Sequence, residues 1–387
     1  MNFELPAELE VMRRHVRKFA RERIAPVAAE LDETHAFPRD TLREMGALGL
    51  LGVTTPERYG GAGLDELAYV VLLEEIAVAD ASHATLMAVT NGLPQKMLLS
   101  YGTDDQRDRY LPALARGSWL GAFCLSEADA GSDAAAIRTR AVRDGDGYRL
   151  RGSKAWVSGG GHADLYLVLA KTDPDAGARG MSCFLLPAGT EGVSFGAPER
   201  KMGQHAAVTC TMALDDVYVP DADRLGDEGD GFVLAMSSLD GGRIGIAAQS
   251  VGIARAAFEA ARDHADVRHA FGRKIREYQG VSFPLADMAT RIEAARLLTW
   301  RAAWLAGRGF RVTREASMAK LYASEAAAFV TDAAVQVLGG AGYTRDHPVE
   351  RYLRDARVTR IYEGSSEIQR IVIARQVYRD LERYDEA

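Results

Sequence analysis

The first part of the chain shows apolar residues at helical spacing. They recur three and four positions apart near the start, at Leu9, Met12, Val16 and Phe19, which predicts a helix with one buried face. Pro38 is placed to open a further helix, and the glycines of Gly60–Gly63 end that unit in a loop. Glu66–Ala79 is almost continuously apolar and predicts a buried helix. We therefore expect a helical domain over residues 1–120.

The pattern changes at about Gly121 to short runs rich in β-forming residues. Two Asp-Gly pairs separate Ile137–Arg143 from Tyr148–Arg151, which predicts a β-hairpin. Further strands are predicted at Leu165–Ala170, Met181–Leu186 and Thr211–Val219. These strands predict a small β-domain over residues 121–230.

From about Gly231 the helical spacing returns. Leu285, Met288, Ile292 and Ala295 form one apolar stripe, and long helices joined by short connections are typical of a bundle. The expected fold is a multidomain α+β protein. It has an N-terminal helical domain, a central β-domain and a C-terminal helical bundle over residues 231–387.

Composition excludes several classes of function. The chain has 387 residues and a net charge of −7, with no Lys/Arg cluster, which argues against nucleic-acid binding. No apolar run approaches the roughly 20 residues that span a bilayer, and the first residues lack the apolar core of a signal peptide. The three cysteines have no paired spacing, so we expect a reduced, cytoplasmic protein. The dispersed histidines predict no metal site.

Three segments are candidates for a binding or catalytic site. Phe123–Asp133 and Lys154–Gly161 combine serines with glycine or other small residues, although each alone is more often a structural turn. In Ile361–Arg370, the spacing of Ser366 and Gln369 predicts a capping box that starts a helix. Glu363 would then lie just before the helix, where a solvated carboxylate favoured by the helix dipole is the alternative to a catalytic group.

No GxGxxG loop follows a strand, and the glycines of Gly339–Gly342 follow a helix, where a structural C-cap is the more common interpretation and a binding loop the alternative. A nucleotide cofactor would therefore have to lie between domains.

Together these segments resemble the acyl-CoA dehydrogenase family, and its short-chain, butyryl-CoA-type members most of all. The likeness runs from about Leu5 to Arg379. It rests on FCLSEADAGSD, KAWVSGGG, RHAFGRKIREYQ (Arg268–Gln279), QVLGGAGY (Gln336–Tyr343) and IYEGSSEIQR. The resemblance implies a β-barrel-like central domain, a C-terminal four-helix bundle, a homotetramer built as a dimer of dimers, and FAD between the β-domain and the bundle.

The resemblance also implies roles for individual residues. Flavin contacts match Phe123, Leu125, Ser126, Trp156 and Ser158, with Ser158 near flavin N5. Contacts to FAD reaching from a neighbouring subunit match Arg268, Phe271 and Gln279, and further adenosine contacts match Gln336, Gly340, Ser365 and Glu367. Ser132 matches a contact to CoA, and Asp240, Arg243, Tyr362 and Gly364 match the surroundings of the substrate.

The sequence departs from the family pattern in several places. Ala128-Asp129 replaces a usual Pro-Gly, which leaves the shape of that loop open. His205 stands where Arg is common, and its role is undetermined. Ser replaces Thr at Ser126, Ser158 and Ser365, which preserves the hydroxyl group.

The implied reaction is the α,β-dehydrogenation of an acyl-CoA to the trans-2-enoyl-CoA. Glu363 matches the base that removes the α-proton, and the family's oxyanion donors are the backbone N–H of that residue and a ribityl hydroxyl of FAD. FAD takes the β-hydride and electrons pass to an electron-transferring flavoprotein. Arg243 is expected to act behind the site, with a local ion pair to Asp240 as the alternative. Gly242 stands where isovaleryl- and long-chain-type members carry an alternative catalytic Glu, which excludes that arrangement here.

Three other functions are weighed against this one. An acyl-CoA oxidase would use the same base but discharge electrons to O₂, and such proteins are generally longer. A decarboxylating glutaryl-type enzyme needs a cation in the acyl pocket, and the matching helix, Ser82–Gln95, contains no Arg. A flavin-bearing, acyl-thioester-binding scaffold without turnover is disfavoured by the intact Glu363. SLDGGRIGIA (Ser238–Ala247) and ARLLTWRAAWL (Ala295–Leu305) resemble short-chain members most.

Overall fold

The computed structural model describes residues 4–385, and the N-terminal part of this range is helical. The helices are α1 (Ala7–Phe19), which continues through a π-helical turn (Ala20–Ile24) into α2 (Ala25–Thr34), then α3 (Arg39–Ala47), α4 (Glu66–Ala79), α5 (Ala81–Asn91), α6 (Leu93–Tyr101) and α7 (Asp104–Ala115). The predicted bounds of α4 are confirmed, and Asp65 caps it by accepting a hydrogen bond from the N–H of Ala68.

The buried face of α1 is narrower than its spacing predicted. Leu9 and Val16 are buried, whereas Met12 is 38% exposed. At 100° per residue, Met12 lies about 60° from Leu9 around the helix, while Val16 lies only about 20° away. Met12 therefore lies at the edge of the apolar face.

The middle of the chain forms one mixed β-sheet. Its strands are β1 (Gly121–Cys124), β2 (Arg140–Asp144), β3 (Gly147–Ser158), β4 (Leu165–Lys171), β5 (Met181–Pro187), β6 (Val193–Phe195), β7 (Thr209–Pro220) and β8 (Arg224–Leu225). The spatial order is β6-β7-β3-β2-β4-β5-β8, with β1 parallel to β4. The predicted hairpin is confirmed as β2–β3, with Asp144 opposite Gly147.

The sheet is open rather than closed into a barrel. Its two edge strands, β6 and β8, have three and two residues, and no pairing joins them within residues 4–385. Edges this short offer few backbone groups for closure, so the barrel-like closure implied by the resemblance is not formed. All seven residues of β4 are buried, which shows that both faces of the sheet are covered there.

The C-terminal part is helical again, as predicted. Its helices are α8 (Gly231–Val267), α9 (Gln279–Gly307), α10 (Thr313–Leu338), α11 (Val349–Arg357) and α12 (Ser366–Asp385), with a small hairpin of β9 (His269–Ala270) and β10 (Arg273–Lys274) between α8 and α9. The α9 stripe is confirmed at Met288, Ile292 and Ala295, which are buried.

One continuous apolar core joins the three regions, because residues such as Ile24, Val168 and Ala247 belong to the same buried cluster. The borders at 120 and 230 remain predictions. Among residues 4–385, no helix is both long enough and apolar enough to cross a bilayer.

Candidate active site

Glu363 lies in a tight turn between α11 and α12. Its φ is 53°, and the next residue, Gly364, has φ 90°. Glycine adopts such angles freely, whereas a side chain at φ > 0 is strained and is retained where the surrounding structure fixes it. Two successive residues of this kind reverse the chain and direct the Glu363 side chain toward α8.

The predicted capping box is wrong. The helix α12 begins at Ser366, so the residue before it, Ser365, occupies the cap, and its hydroxyl accepts a 3.4 Å hydrogen bond from the N–H of Ile368. The Gln369 amide instead donates to the carbonyl oxygens of Gly364 (2.9 Å) and Glu363 (3.3 Å). Gln369 thus holds the turn that carries Glu363.

The carboxylate of Glu363 is desolvated. Its Oε2 atom is inaccessible to solvent and has no hydrogen-bond partner within residues 4–385, although the residue as a whole keeps some exposure. A β-carbon added at Gly242 of α8 would lie 2.6 Å from this oxygen. Burial raises the pKa of Glu363 to about 7, against the opposing attraction of Arg243 and Lys320. The structure does not support a solvated carboxylate.

Lys320 of α10 is a part of the site that the sequence analysis missed. Its side chain is fully buried and its Nζ donates a 2.7 Å hydrogen bond to the carbonyl oxygen of Gly364. Burial lowers the pKa of Lys320 to about 8, while Glu363 raises it. A signal was present, because Lys320 shares the helical spacing of Ala316, Ala323 and Ala327, all buried.

Arg243 and Asp240 form the local ion pair considered from the sequence. Nη1 of Arg243 lies 2.6 Å from Oδ1 of Asp240, whose Oδ2 accepts from Thr313 at 2.6 Å. Arg243 is buried and its Nε has no partner within the described residues. Arg243 also lowers the pKa of Glu363, which agrees with an indirect role in which Arg243 acts on the catalytic carboxylate. A contact with substrate remains a prediction.

Tyr362 is held by a buried chain of polar side chains. Its hydroxyl donates to Oε1 of Gln249 (2.6 Å), whose amide donates to Thr85 (2.7 Å), and Thr85 donates to Gln204 (2.6 Å). Gln204 in turn bonds Asp355 of α11. Fully partnered buried networks fix side-chain positions. This network fixes the position of Tyr362, the residue next to Glu363. The network was not predicted from the sequence.

The two candidate segments of the sheet region, Phe123–Asp133 and Lys154–Gly161, are hydrogen-bonded to each other and form one surface. The N–H of Ala155 donates to the carbonyl oxygen of Ser126 (2.9 Å), and buried Lys154 donates to that of Leu125 (3.1 Å) and to Glu127 (2.7 Å). Glu127 and Ala130 exchange backbone hydrogen bonds, so Ala128-Asp129 still forms a tight turn. Phe123 precedes these residues on β1 and is partly buried.

This surface suits a planar aromatic heterocycle. Trp156 has φ 61° and is 62% exposed, beside a fully buried Val157. The hydroxyls of Ser126 and Ser158 make no hydrogen bond to any residue from 4 to 385, so both are free to donate. An exposed indole and two free hydroxyls fit a flavin ring.

The remaining predicted residues lie on other segments of the chain or make no contact with Glu363 that the described residues show. Arg268 follows the last residue of α8, Phe271 lies in the turn between β9 and β10, and Gln279 opens α9. Phe271, at φ 48°, is 96% exposed, and the guanidinium of Arg268 makes no hydrogen bond or ion pair with a described residue. Gln336, Gly340 and Glu367 are exposed at the ends of α10 and α12, and Ser132 is exposed in the loop after β1. No hydrogen bond or ion pair joins these seven residues to Glu363.

His205 packs inside the protein and not toward open solvent. Its Nδ1 lies 2.9 Å from Oδ1 of Asp32, its Nε2 lies 2.9 Å from the carbonyl oxygen of Lys201, and its ring centroid is 4.0 Å from that of His35. Asp32 also pairs with Arg354 of α11. His205 therefore connects the sheet region to α2.

Comparison with known proteins places the chain among flavoenzymes. Three family models match it in order: acyl-CoA dehydrogenase N-terminal domain over residues 6–118, middle domain over 122–217 and C-terminal domain over 229–378. A short-chain specific acyl-CoA dehydrogenase of Clostridium acetobutylicum is 42% identical over 98% of this chain and 100% of its own length.

Solved structures of similar proteins agree with this match to the acyl-CoA dehydrogenase models. Butyryl-CoA dehydrogenase from Megasphaera elsdenii is 40% identical with a TM-score of 0.96, covering 98% of this chain and 100% of that one. An FAD complex of PigA is 27% identical with a TM-score of 0.94, covering 97% and 99%. Since the three family models together match most of the chain, this protein belongs to the acyl-CoA dehydrogenase family.

Proposed function

We propose that the protein catalyses the FAD-dependent α,β-dehydrogenation of a short-chain acyl-CoA, with Glu363 as the base that removes the α-proton. The observation that carries the proposal is the carboxylate of Glu363, which is desolvated, has no partner at Oε2 among residues 4–385 and has its pKa raised to about 7. A general base works best when its pKa lies near the operating pH. Glu363 has that property, and its turn is held by Lys320 and Gln369.

FAD is the cofactor of the family. When bound, it supplies the acceptor for the hydrogen that leaves Cβ as a hydride. In the proposal, Ser126, Ser158 and Trp156 hold the ring system, with Phe123 and Leu125 behind them. Arg268, Phe271 and Gln279 would reach the FAD of a neighbouring subunit in a homotetramer, and Gln336, Gly340, Ser365 and Glu367 would contact its adenosine. Phe271 is exposed and the guanidinium of Arg268 has no partner in the described part of the chain, and both observations support this assignment.

The acyl group is proposed to be short, straight or branched, because the similar proteins include a short-chain specific enzyme and a butyryl-CoA dehydrogenase. Ser132 would contact the CoA portion and the backbone N–H of Glu363 the thioester oxygen, while Tyr362 and Gly364 border the acyl group. Electrons would pass to an electron-transferring flavoprotein. We place the protein in the cytoplasm, and its three buried free cysteines fit a reducing compartment.

Anaerobic titration with acyl-CoAs tests the reaction. We expect butyryl-CoA to bleach the flavin absorbance of the purified holoprotein and trans-2-enoyl-CoA to form in equal amount. Peroxide formation in air as fast as dye-linked turnover would instead favour an acyl-CoA oxidase. Binding of butyryl-CoA without any bleaching would favour the flavin-bearing scaffold.

Replacing Arg268 tests the proposed assembly. Arg268→Ala should release FAD and weaken the tetramer, because a bidentate, charge-assisted contact to a pyrophosphate is strong. The measurements are the flavin-to-protein absorbance ratio and the mass in solution. Arg262→Ala, a change at an exposed arginine of the last turns of α8, should leave both unchanged. A fully flavinylated, active monomer of Arg268→Ala would contradict the assignment.

A further inference from the structure

Three side chains converge on a glycine-lined face of α8 beside the proposed active site. The position of a β-carbon at Gly242 lies 2.6 Å from Oε2 of Glu363, that at Gly241 lies 2.5 Å from Nζ of Lys96, and that at Gly245 lies 2.9 Å from the hydroxyl of Tyr69. Helix residues three or four positions apart share one face, so Gly245 adjoins both Gly241 and Gly242. Tyr69 of α4 therefore lies between Glu363 on one side and Lys96 of α6 on the other.

Lys96 is held in place by an ion pair inside the protein. Its Nζ lies 2.7 Å from Oε1 and 2.8 Å from Oε2 of Glu66, and each side chain keeps 17% of its exposure. The same nitrogen lies 5.7 Å from the centre of the Tyr69 ring. Tyr69 is buried and lies between two carboxylates, since Glu66 and Glu363 both raise its pKa in addition to the effect of burial.

The pair also changes the picture drawn from the sequence. Ser82–Gln95 contains no Arg, which argued that no cation lies near the acyl group. Lys96 is the next residue, and the structure brings its ammonium to α8 at Gly241, one residue before the glycine that Glu363 approaches. Glu66 neutralises this ammonium, so the wall formed here is polar and paired.

We infer that the Lys96–Glu66 ion pair forms the part of the acyl-site wall that faces the end of a short acyl chain. The pair thereby sets the preference for acyl chain length. This inference rests on the proposed function. A longer apolar chain would have to lie against the two charged groups and displace the water that reaches them. The charged groups would then lose hydration and gain no hydrogen bond in its place, which costs free energy. A four-carbon acyl group with its α-carbon at Glu363 ends before that cost arises.

Binding of acyl-CoAs tests the wall apart from catalysis. In FAD-loaded Glu363→Gln protein, which does not consume the ligand, Kd is measured calorimetrically for butyryl-CoA and octanoyl-CoA. Adding Lys96→Met and Glu66→Gln together should lower the ratio of octanoyl to butyryl Kd by about tenfold or more, since single methylenes are discriminated by about that factor in such pockets. The Kd of butyryl-CoA should change by less than about twofold, because the short chain does not reach the pair.

Two further variants make the outcome decisive. Arg23→Met with Glu44→Gln removes an exposed ion pair elsewhere and should leave the Kd ratio unchanged. Glu66→Gln alone leaves the ammonium of Lys96 without its partner, so glutaryl-CoA should bind about tenfold more tightly relative to butyryl-CoA, as charge-assisted bonds are strong. The inference would be overturned if the Kd ratios were unchanged in both the double variant and Glu66→Gln. It would also be overturned if the protein with an intact Lys96–Glu66 pair bound glutaryl-CoA more tightly than butyryl-CoA. Failure of the proposed function would show separately, as an absence of flavin bleaching in the wild-type protein.

Discussion

Glu363→Gln should abolish most of the turnover while leaving the folded flavoprotein intact. Glutamine keeps the shape of the side chain and the left-handed turn but cannot accept the α-proton. General-base catalysis contributes ~10²–10⁴-fold, so kcat should fall by at least that factor. Because the loss is confined to the transition state, the Kd of acyl-CoA should change little. Stopped-flow bleaching of the flavin and dye-linked assays measure both quantities.

The matched control is Glu22→Gln, which removes an exposed carboxylate of the first helical segment. It should retain wild-type turnover and FAD content. If Glu363 were only a carboxylate near a helix start, its replacement would cost a few tenths of a kcal/mol of stability and leave turnover nearly intact. Near-normal turnover in a well-folded Glu363→Gln protein would rule out the proposed mechanism.

Lys320→Met should both destabilise the protein and move its pH profile. The methionine fills similar space but cannot donate to the carbonyl of Gly364, which keeps only the Gln369 amide as a donor. A hydrogen bond from a charged group contributes about 1.5–3 kcal/mol. Lys320 also lowers the pKa of Glu363, so its removal should raise that pKa above the wild-type value of about 7. Glu363 is active when deprotonated, so kcat/KM rises with pH, and the rise should occur at higher pH in the variant.

The pH dependence separates this role from simple loss of stability. Each unit by which the pKa rises lowers the active fraction about tenfold at pH values well below it, whereas a purely structural defect would lower kcat/KM equally at all pH values. Lys320→Arg keeps the charge and should keep the wild-type midpoint if it folds. Lys18→Met, at an exposed lysine, should change neither the free energy of unfolding nor the profile. An unshifted midpoint in Lys320→Met would show that the ammonium does not set the pKa of Glu363.

The sequence by itself determined the order of helical, β and helical regions, the bounds of α4, the β2–β3 hairpin and the buried stripe of α9. These features depend on local periodicity and turn chemistry, which neighbouring residues specify. The resemblance of the short motifs selected Glu363 and the two flavin loops. The capping box at Ser366 failed because the serine before it could serve equally well, and the choice between them depends on the turn at Glu363 and Gly364.

Only the tertiary structure decided what surrounds Glu363. Lys320, Lys96, Glu66 and Tyr69 are distant in sequence, and no spacing along the chain reveals that α4, α6 and α10 bring them to one face of α8 or to the turn at Gly364. The sequence likewise did not determine whether the sheet closes into a barrel, because closure depends on whether the edge strands β6 and β8 pair with each other. Burial raises the pKa of Glu363, and burial is a property of the packed chain, since it depends on which side chains exclude water from the carboxylate.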